Sequence, residues 1–178
     1  MQKANKEIKD TSVIEHLLKT CHVGRLGTIG RDGYPMVKPL NFSYHERRIY
    51  FHTALAGEKI DDIKRDNRVC FEVDQPIAFV RAVKQPCEAG YLYRSVIIRG
   101  RTSLVEDKQE RTLAFKNLMD KYQPEVGYGQ YLDEKLVLTG IVRIDVEEMS
   151  GKEDLGTGRH RELALEALEQ GLALPIVL

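Results

Sequence analysis

Residues 23–53 read VGRLGTIGRDGYPMVKPLNFSYHERRIYFHT and contain three segments with the pattern of β-strands. The pattern is strand-like over 23–29 and over 36–44, and within 48–53 Ile49, Phe51 and Thr53 alternate with Tyr50 and His52, as side chains do along a strand. Asp32-Gly33 separates the first two segments and predicts a tight hairpin, because glycine accepts a positive φ at little cost. These residues therefore predict an antiparallel meander of three strands.

Further strands follow along the chain. Val69–Val73 alternates, Tyr91–Val105 is the longest β-like run, and Thr139–Val146 predicts a last strand. Gly100 predicts a bulge or bend at which a sheet could curl. About six strands without regular βαβ alternation predict a small antiparallel barrel in an α+β fold.

Helices are predicted at the periphery of this barrel. Capping residues and apolar periodicity indicate helices over 12–20, 57–66, 107–122 and 160–170. The polar, glycine-rich residues 150–160, SGKEDLGTGRH, predict a connector before the last helix. In that helix, apolar Leu163, Ala164, Ala167 and Leu168 share one face, which we expect to pack on the barrel or on a second copy.

Composition limits the classes of function. The 178 residues contain 27 basic and 27 acidic side chains, so no basic excess predicts binding to nucleic acid or to an anionic membrane. The five histidines and three cysteines show no metal-ligand spacing, so no metal is expected. The unpaired cysteine pattern and the lack of a long apolar segment predict a cytoplasmic protein.

A candidate anion site lies in residues 49–63, IYFHTALAGEKIDDI, where a strand, a small-residue loop and a helix follow one another. The start of a helix favours negative charge, whereas Lys59 in the first turn opposes the helix dipole. A bound phosphate would resolve that conflict. Alternatively, Lys59 is simply solvated and Glu58 offsets its charge.

Arg94 and Ser95 are unusual because they interrupt an apolar strand. We expect Arg94 to have a specific partner, since a charged group in such a strand is costly when unpaired. Arg99 and Arg101 fit an exposed face of the same strand.

The order of several motifs resembles the flavin-binding split barrels related to pyridoxamine 5'-phosphate oxidase, and more narrowly their nitroimidazole-reductase branch. The resemblance covers about residues 10–155 and rests on PMVKPLNFSY (35–44), YFHTALAGEK (50–59), YRSVIIRG (93–100) and SGKE (150–153). It implies a six-stranded antiparallel Greek-key split β-barrel with peripheral helices. It also implies a homodimer that binds FMN between its two copies, with FAD as an alternative.

The resemblance also implies roles for particular residues. The strand at Lys38 to Asn41 would border the flavin ring and ribityl chain, His52 and Thr53 would lie beside the flavin, and Gly57 with Lys59 would hold its phosphate. Arg94, Ser95 and Lys152 would approach the cofactor from other strands. His52 is the candidate for proton delivery or substrate contact. The implied cofactor-binding set is Lys38, Pro39, Leu40, Asn41, His52, Thr53, Gly57, Lys59, Arg94, Ser95 and Lys152.

Two departures argue against oxidation of pyridoxamine phosphate itself. Glu58 precedes Lys59 where those oxidases carry an Arg/Lys pair, and the chain has no Trp and ends in EQGLALPIVL. The expected function is an oxidoreductase that passes electrons from a reduced donor to a small organic acceptor such as a nitroimidazole or nitroaromatic. The alternative is a flavin- or haem-binding carrier or redox sensor without turnover.

The expected domain organisation follows the same resemblance. Residues 1–155 would form the flavin-binding barrel, and residues 156–178 would form a helical tail packed on the barrel or on the second copy.

Overall fold

The structure is a computed structural model, and it describes residues 4–130, 132–172 and 175–178. Within these residues, two short 3-10 helices, nine strands and five α-helices are present. The strands are β1 (Glu7–Ile8), β2 (Gly24–Ile29), β3 (Pro35–Leu40), β4 (Ser43–His45), β5 (Arg48–Thr53), β6 (Arg68–Val80), β7 (Gly90–Leu104), β8 (Gly140–Asp154) and β9 (Ile176–Val177). The helices are α1 (Thr11–Thr20), α2 (Glu58–Arg65), α3 (Lys108–Tyr122), α4 (Asp133–Leu138) and α5 (Gly158–Glu169).

One sheet contains all these strands, in the order β3-β2-β6-β7-β8-β5-β4, with β1 on β8 and β9 on β6. β2 is antiparallel to β3 and β6, β8 is antiparallel to β1 and β5, and β4 is antiparallel to β5, whereas β9 is parallel to β6. Only residues 41 and 42 separate β3 from β4, although these strands lie at opposite ends of the order. The sheet must therefore curl without closing, which confirms the predicted α+β split barrel with six long strands and peripheral helices.

The described residues form two compact units. The terminal unit comprises the described residues of Met1–Leu17, Asp74–Val96 and Ser150–Leu178, and the central unit comprises those of Leu18–Val73 and Ile97–Met149. The core of the terminal unit includes Ile77, Leu92 and Leu155, against which α5 packs through Ala164, Leu165 and Leu168. The apolar face of α5 is therefore covered within this unit. The predicted division at residue 155 stays a prediction.

The first hairpin forms where the sequence predicts it. Ile29 pairs with Pro35, Gly30 N–H donates to the Tyr34 carbonyl at 2.7 Å, and Tyr34 N–H donates to the Asp32 carboxylate at 3.1 Å. Gly33 has φ 85°, the left-handed conformation that this turn requires.

The predicted three-stranded meander is wrong at Phe42. The Phe42 N–H donates to the Tyr122 hydroxyl at 3.0 Å, and this hydroxyl also lies 3.1 Å from the Phe42 carbonyl oxygen. Because the Phe42 backbone is bound by a side chain of α3, the expected long strand divides into β3 and β4. β5 pairs with β4 and β8 rather than with β3.

The end of β8 is also further along the chain than predicted. The strand continues to Asp154 through SGKED, for which the sequence predicts a connector. Polar partners replace apolar burial there: Lys6 pairs with Asp154, and Arg94 donates to Glu153 at 3.0 Å. The short helix α4, which the sequence analysis does not predict, precedes β8. No helix among the described residues is long and apolar enough to cross a membrane.

Gly100 is required for the contact between β7 and β8. A Cβ atom at this position would lie 2.3 Å from the Asp145 carbonyl oxygen and 2.9 Å from Ile144 Cγ2. β7 is continuous through Gly100, so the residue permits close strand approach.

The Gly100→Ala substitution should therefore lower the free energy of unfolding by about 2 kcal/mol, because the added methyl group meets backbone. Urea denaturation checks this value. Gly90→Ala is the matched control in the same strand, since nothing lies within 4 Å of the position that its added methyl group would occupy. A Gly100→Ala protein as stable as Gly90→Ala would contradict the packing argument.

Candidate functional site

Eight of the predicted site residues lie in the central unit and three in the terminal unit. The central group is Lys38, Pro39, Leu40, Asn41, His52, Thr53, Gly57 and Lys59, and the terminal group is Arg94, Ser95 and Lys152.

The start of α2 presents an open backbone. Gly57 is the N-cap, with φ 114° and nothing within 4 Å of its potential Cβ position. Its carbonyl accepts hydrogen bonds from the N–H groups of Ile60 and Asp61, at 2.9 and 3.1 Å. The preceding amide groups have no intrahelical acceptor, because a helix begins with such donors. This end of α2 therefore combines backbone N–H groups that have no acceptor within the helix with the positive end of the helix dipole.

Lys59 is half-buried at this helix start. Its Nζ lies 5.3 Å from the centre of the Phe51 ring, and none of the described residues provides it with a carboxylate partner. Burial lowers the pKa of Lys59, and the nearby positive charge of Lys38 lowers it further. An anion bound here would offset both the burial of the Lys59 ammonium group and its repulsion by Lys38.

Lys38 is compensated in a different way. Its Nζ lies 3.0 Å from Glu58 Oε2 and 3.3 Å from Asp62 Oδ2. Burial alone would lower the pKa of Lys38, but its hydrogen bonds to these two carboxylates outweigh burial and raise the pKa. Glu58, which the sequence offers as a counter-charge for Lys59, thus contacts Lys38 instead.

Asp62 is a site component that the sequence analysis does not identify. It is only 1% exposed, and its carboxylate accepts hydrogen bonds from Thr28 Oγ1 (3.1 Å), Lys38 Nζ (3.3 Å) and Arg65 Nη2 (2.9 Å). Burial alone would raise its pKa, but these donors hold the pKa below its usual value of 3.8. The sequence carries no signal that separates Asp62 from Asp61, because both lie between buried Ile60 and Ile63 on α2.

The other central residues lie on β3 and β5, except Asn41, which is exposed and directly follows β3. β3 is at the end of the strand order and pairs with β2 through Lys38–Leu26, Pro39–Arg25 and Leu40–Gly24. Its outer edge can offer backbone groups to a ligand. On β5, exposed His52 pairs with Ile141 and buried Thr53 pairs with Gly140.

The terminal group contains a paired arginine. Arg94 Nε donates to Glu153 Oε2 at 3.0 Å, which confirms the expected specific partner. Lys152 Nζ lies 5.8 Å from the centre of the Tyr93 ring, and Ser95 is half-buried. By contrast, Arg99 and Arg101 are exposed and pair with Glu148 and Glu147, as expected for an outer face.

The structure brings Lys38, Gly57 and Lys59 to one corner of the central unit. His52 and Thr53 end the strand that leads into the same loop and helix. Among the described residues, no group of three His, Cys, Asp or Glu side chains could hold a metal ion. The arrangement is suited to binding an anionic group through backbone donors and one uncompensated lysine.

Comparison with known proteins identifies the family. A family model described as pyridoxamine 5'-phosphate oxidase matches residues 10–153, which is most of the chain. The chain belongs to the pyridoxamine 5'-phosphate oxidase family. The resemblance expected over residues 10–155 is thereby confirmed. No curated protein matches the sequence.

Solved structures agree with this membership. A candidate 5-nitroimidazole antibiotic resistance protein from Bacteroides thetaiotaomicron is 26% identical, with a TM-score of 0.72 over 83% of this chain and 86% of that one. An FAD-binding protein from Mesorhizobium loti is 25% identical, with a TM-score of 0.61 over 84% and 97%. A flavocytochrome from Azotobacter vinelandii, 19% identical with a TM-score of 0.77 over 92% and 77%, shares the fold.

The Asp62→Asn substitution should destabilise the protein by about 3 kcal/mol at neutral pH, because it removes the buried charge facing Lys38 and Arg65. The folded-state pKa of Asp62 is lowered, so its contribution is complete above the unfolded-state pKa and is lost as pH falls through the folded-state pKa. The difference from wild type should shrink below about pH 4.

Urea denaturation from neutral to acidic pH measures this difference. Asp61→Asn is the control, since Asp61 is an exposed neighbour on the same helix. A stability difference that stays constant down to about pH 3 would exclude the buried ionised carboxylate.

Proposed function

We propose that this protein is an FMN-dependent oxidoreductase that passes electrons from a reduced donor to a small organic acceptor, such as a nitroimidazole or another nitroaromatic. The observation that carries the proposal is Lys59 at the start of α2, half-buried and without a carboxylate partner among the described residues. Family membership and similarity to an FAD-binding protein support a flavin as the ligand.

The residues at the start of α2 fit a flavin phosphate. The open Gly57 backbone and the Lys59 ammonium would hold the phosphate, since helix starts and lysines both favour anions. Glu58 and Asp62 neutralise the Lys38 ammonium group and hold it beside this site. An FAD would present its phosphates to the same groups, so it is the alternative cofactor.

The remaining central residues would orient the cofactor and its substrate. The outer edge of β3, at Lys38 to Leu40, and Asn41 directly after it would offer backbone donors and acceptors to the flavin ring. The flavin, when bound, supplies the electron-transfer chemistry. His52 is exposed at the end of β5 and would contact the substrate or deliver a proton to it.

The proposal includes a homodimer with the flavin between its two copies. In that assembly, Arg94, Ser95 and Lys152 would complete the cofactor site. A cytoplasmic location belongs to the same proposal, and it is supported by Cys21, Cys70 and Cys87, none of which forms a disulfide within the described residues.

Lys59→Ala should weaken FMN binding by at least about tenfold, because it removes a charge-assisted contact to the phosphate. Riboflavin, which lacks the phosphate, should bind wild type and Lys59→Ala equally. Lys64→Ala, an exposed lysine at the other end of α2, is the control. Fluorescence titration measures the FMN and riboflavin affinities of wild type, Lys59→Ala and Lys64→Ala. Equal loss of riboflavin and FMN binding in Lys59→Ala would contradict a phosphate contact.

His52→Ala should lower the turnover number with a reduced nicotinamide donor and a nitroaromatic acceptor by about 100-fold, through loss of proton transfer. FMN affinity should stay unchanged, which separates chemistry from cofactor binding. His45→Ala tests the loss of another histidine in the same unit. Flavin retention without turnover in the wild-type protein would instead favour the carrier or sensor function.

A further inference from the structure

A pocket lies in the central unit, between the end of β7, the start of β8 and the helices α3 and α4. We call it the α3–α4 pocket. Its volume is about 540 Å³, and its walls include Leu55, Leu104, Leu136, Val137 and Ile141. This volume is within the range of sites for small organic ligands, roughly 300–1,000 Å³.

The walls of the pocket expose apolar side chains. Leu55 is 49% exposed and Val137 is 69% exposed, and both face a concave surface. Burying such surface against a flat apolar ring is favourable, because it removes apolar area from water. Gly140 keeps the pocket open, since a Cβ there would lie 3.1 Å from Leu55 Cδ2 and 3.3 Å from Thr53 Cγ2.

Arg111 fixes the two sides of this pocket. Its guanidinium donates to the carbonyl oxygen of Val105 at 3.2 Å, and to those of Leu136 and Thr139 at 2.5 and 2.9 Å. These acceptors lie after β7 and around the end of α4, so one side chain joins both walls. The pocket is therefore preformed.

The charge of Arg111 is not neutralised by these contacts. Its hydrogen bonds within the described residues go to carbonyl groups, and two of its five N–H groups have no acceptor there. Among the described side chains, the ionisable ones that line the pocket are Glu106, Lys108 and Arg111, whose formal charges sum to +1. An apolar pocket with this charge complements a ring that carries one anionic group.

We propose that the α3–α4 pocket binds a small aromatic molecule with a single anionic group, such as an aromatic carboxylate. The ring packs between Leu55, Leu104 and Val137, and the anion faces Arg111. The pocket is lined by Gly140, the β8 partner of Thr53, but its use does not require a bound flavin.

Calorimetric titration of the full chain with 2-naphthoate and its neutral analogue 2-naphthylmethanol tests this proposal. Naphthoate should bind at one site per chain, at least about tenfold more tightly than the alcohol. Val137→Glu should weaken naphthoate binding by about tenfold or more, through charge repulsion and loss of apolar surface. Leu138→Glu should leave it unchanged, because Leu138 is equally exposed, at 69%, and does not line the pocket.

Three results would overturn the proposal. Equal affinity for the acid and the alcohol would remove the anion preference, and equal losses in Val137→Glu and Leu138→Glu would remove the assigned location. Absence of naphthoate binding would also overturn it. If sedimentation then showed that Val137→Glu converts a dimer into a monomer, the occupant of the pocket would be a second copy of the chain. Because the titrations contain no FMN, their failure is distinct from failure of the proposed flavin site.

Discussion

The buried carboxylate of Asp62 is the interaction on which the candidate cofactor site depends. A carboxylate with 1% exposure is stable only when donors replace its lost hydration, and Asp62 receives them from β2, β3 and α2. Arg65 also donates to the Ile29 carbonyl at the end of β2. These contacts hold α2 against the first hairpin, and so they position the start of the helix.

The positive charges near this helix have different roles. Lys38 is neutralised by Glu58 and Asp62, so it joins β3 to α2. Lys59 lies over Phe51 and is left with an uncompensated charge that burial and Lys38 make unfavourable. The fold thereby leaves one uncompensated positive charge, that of Lys59, beside the open backbone of Gly57. A phosphate is the natural complement of this arrangement.

Much of the fold can be predicted from the sequence because local chemistry decides it. Asp32-Gly33 determines the first turn, and Asp107 caps α3 by accepting from the Glu110 N–H, as its position suggests. The break between β3 and β4 cannot be predicted, since it depends on Tyr122, which is 80 residues away from Phe42. The end of β8 cannot be predicted either, because its residues do not alternate between apolar and polar. Instead, Asp154 and Glu153 form ion pairs with Lys6 and Arg94.

The candidate site is only partly visible in the sequence. The conflict between Lys59 and the helix dipole can be seen in the sequence at residues 57–59, GEK, because the start of any helix favours negative charge. Asp62 cannot be distinguished from its neighbour Asp61, since both are aspartates on one helix and only the tertiary fold buries one of them. The pairing of Lys38 with Glu58 and Asp62 likewise requires the contact of α2 with the first hairpin.

The visible absorption spectrum of the purified full-length protein, recorded after addition of FMN and removal of unbound cofactor, tests the central claim most directly. Flavin absorption bands should remain with the protein after the unbound cofactor is removed. A protein that loses every flavin band on desalting, or that instead retains a haem spectrum, would contradict the claim that the start of α2 holds a flavin phosphate.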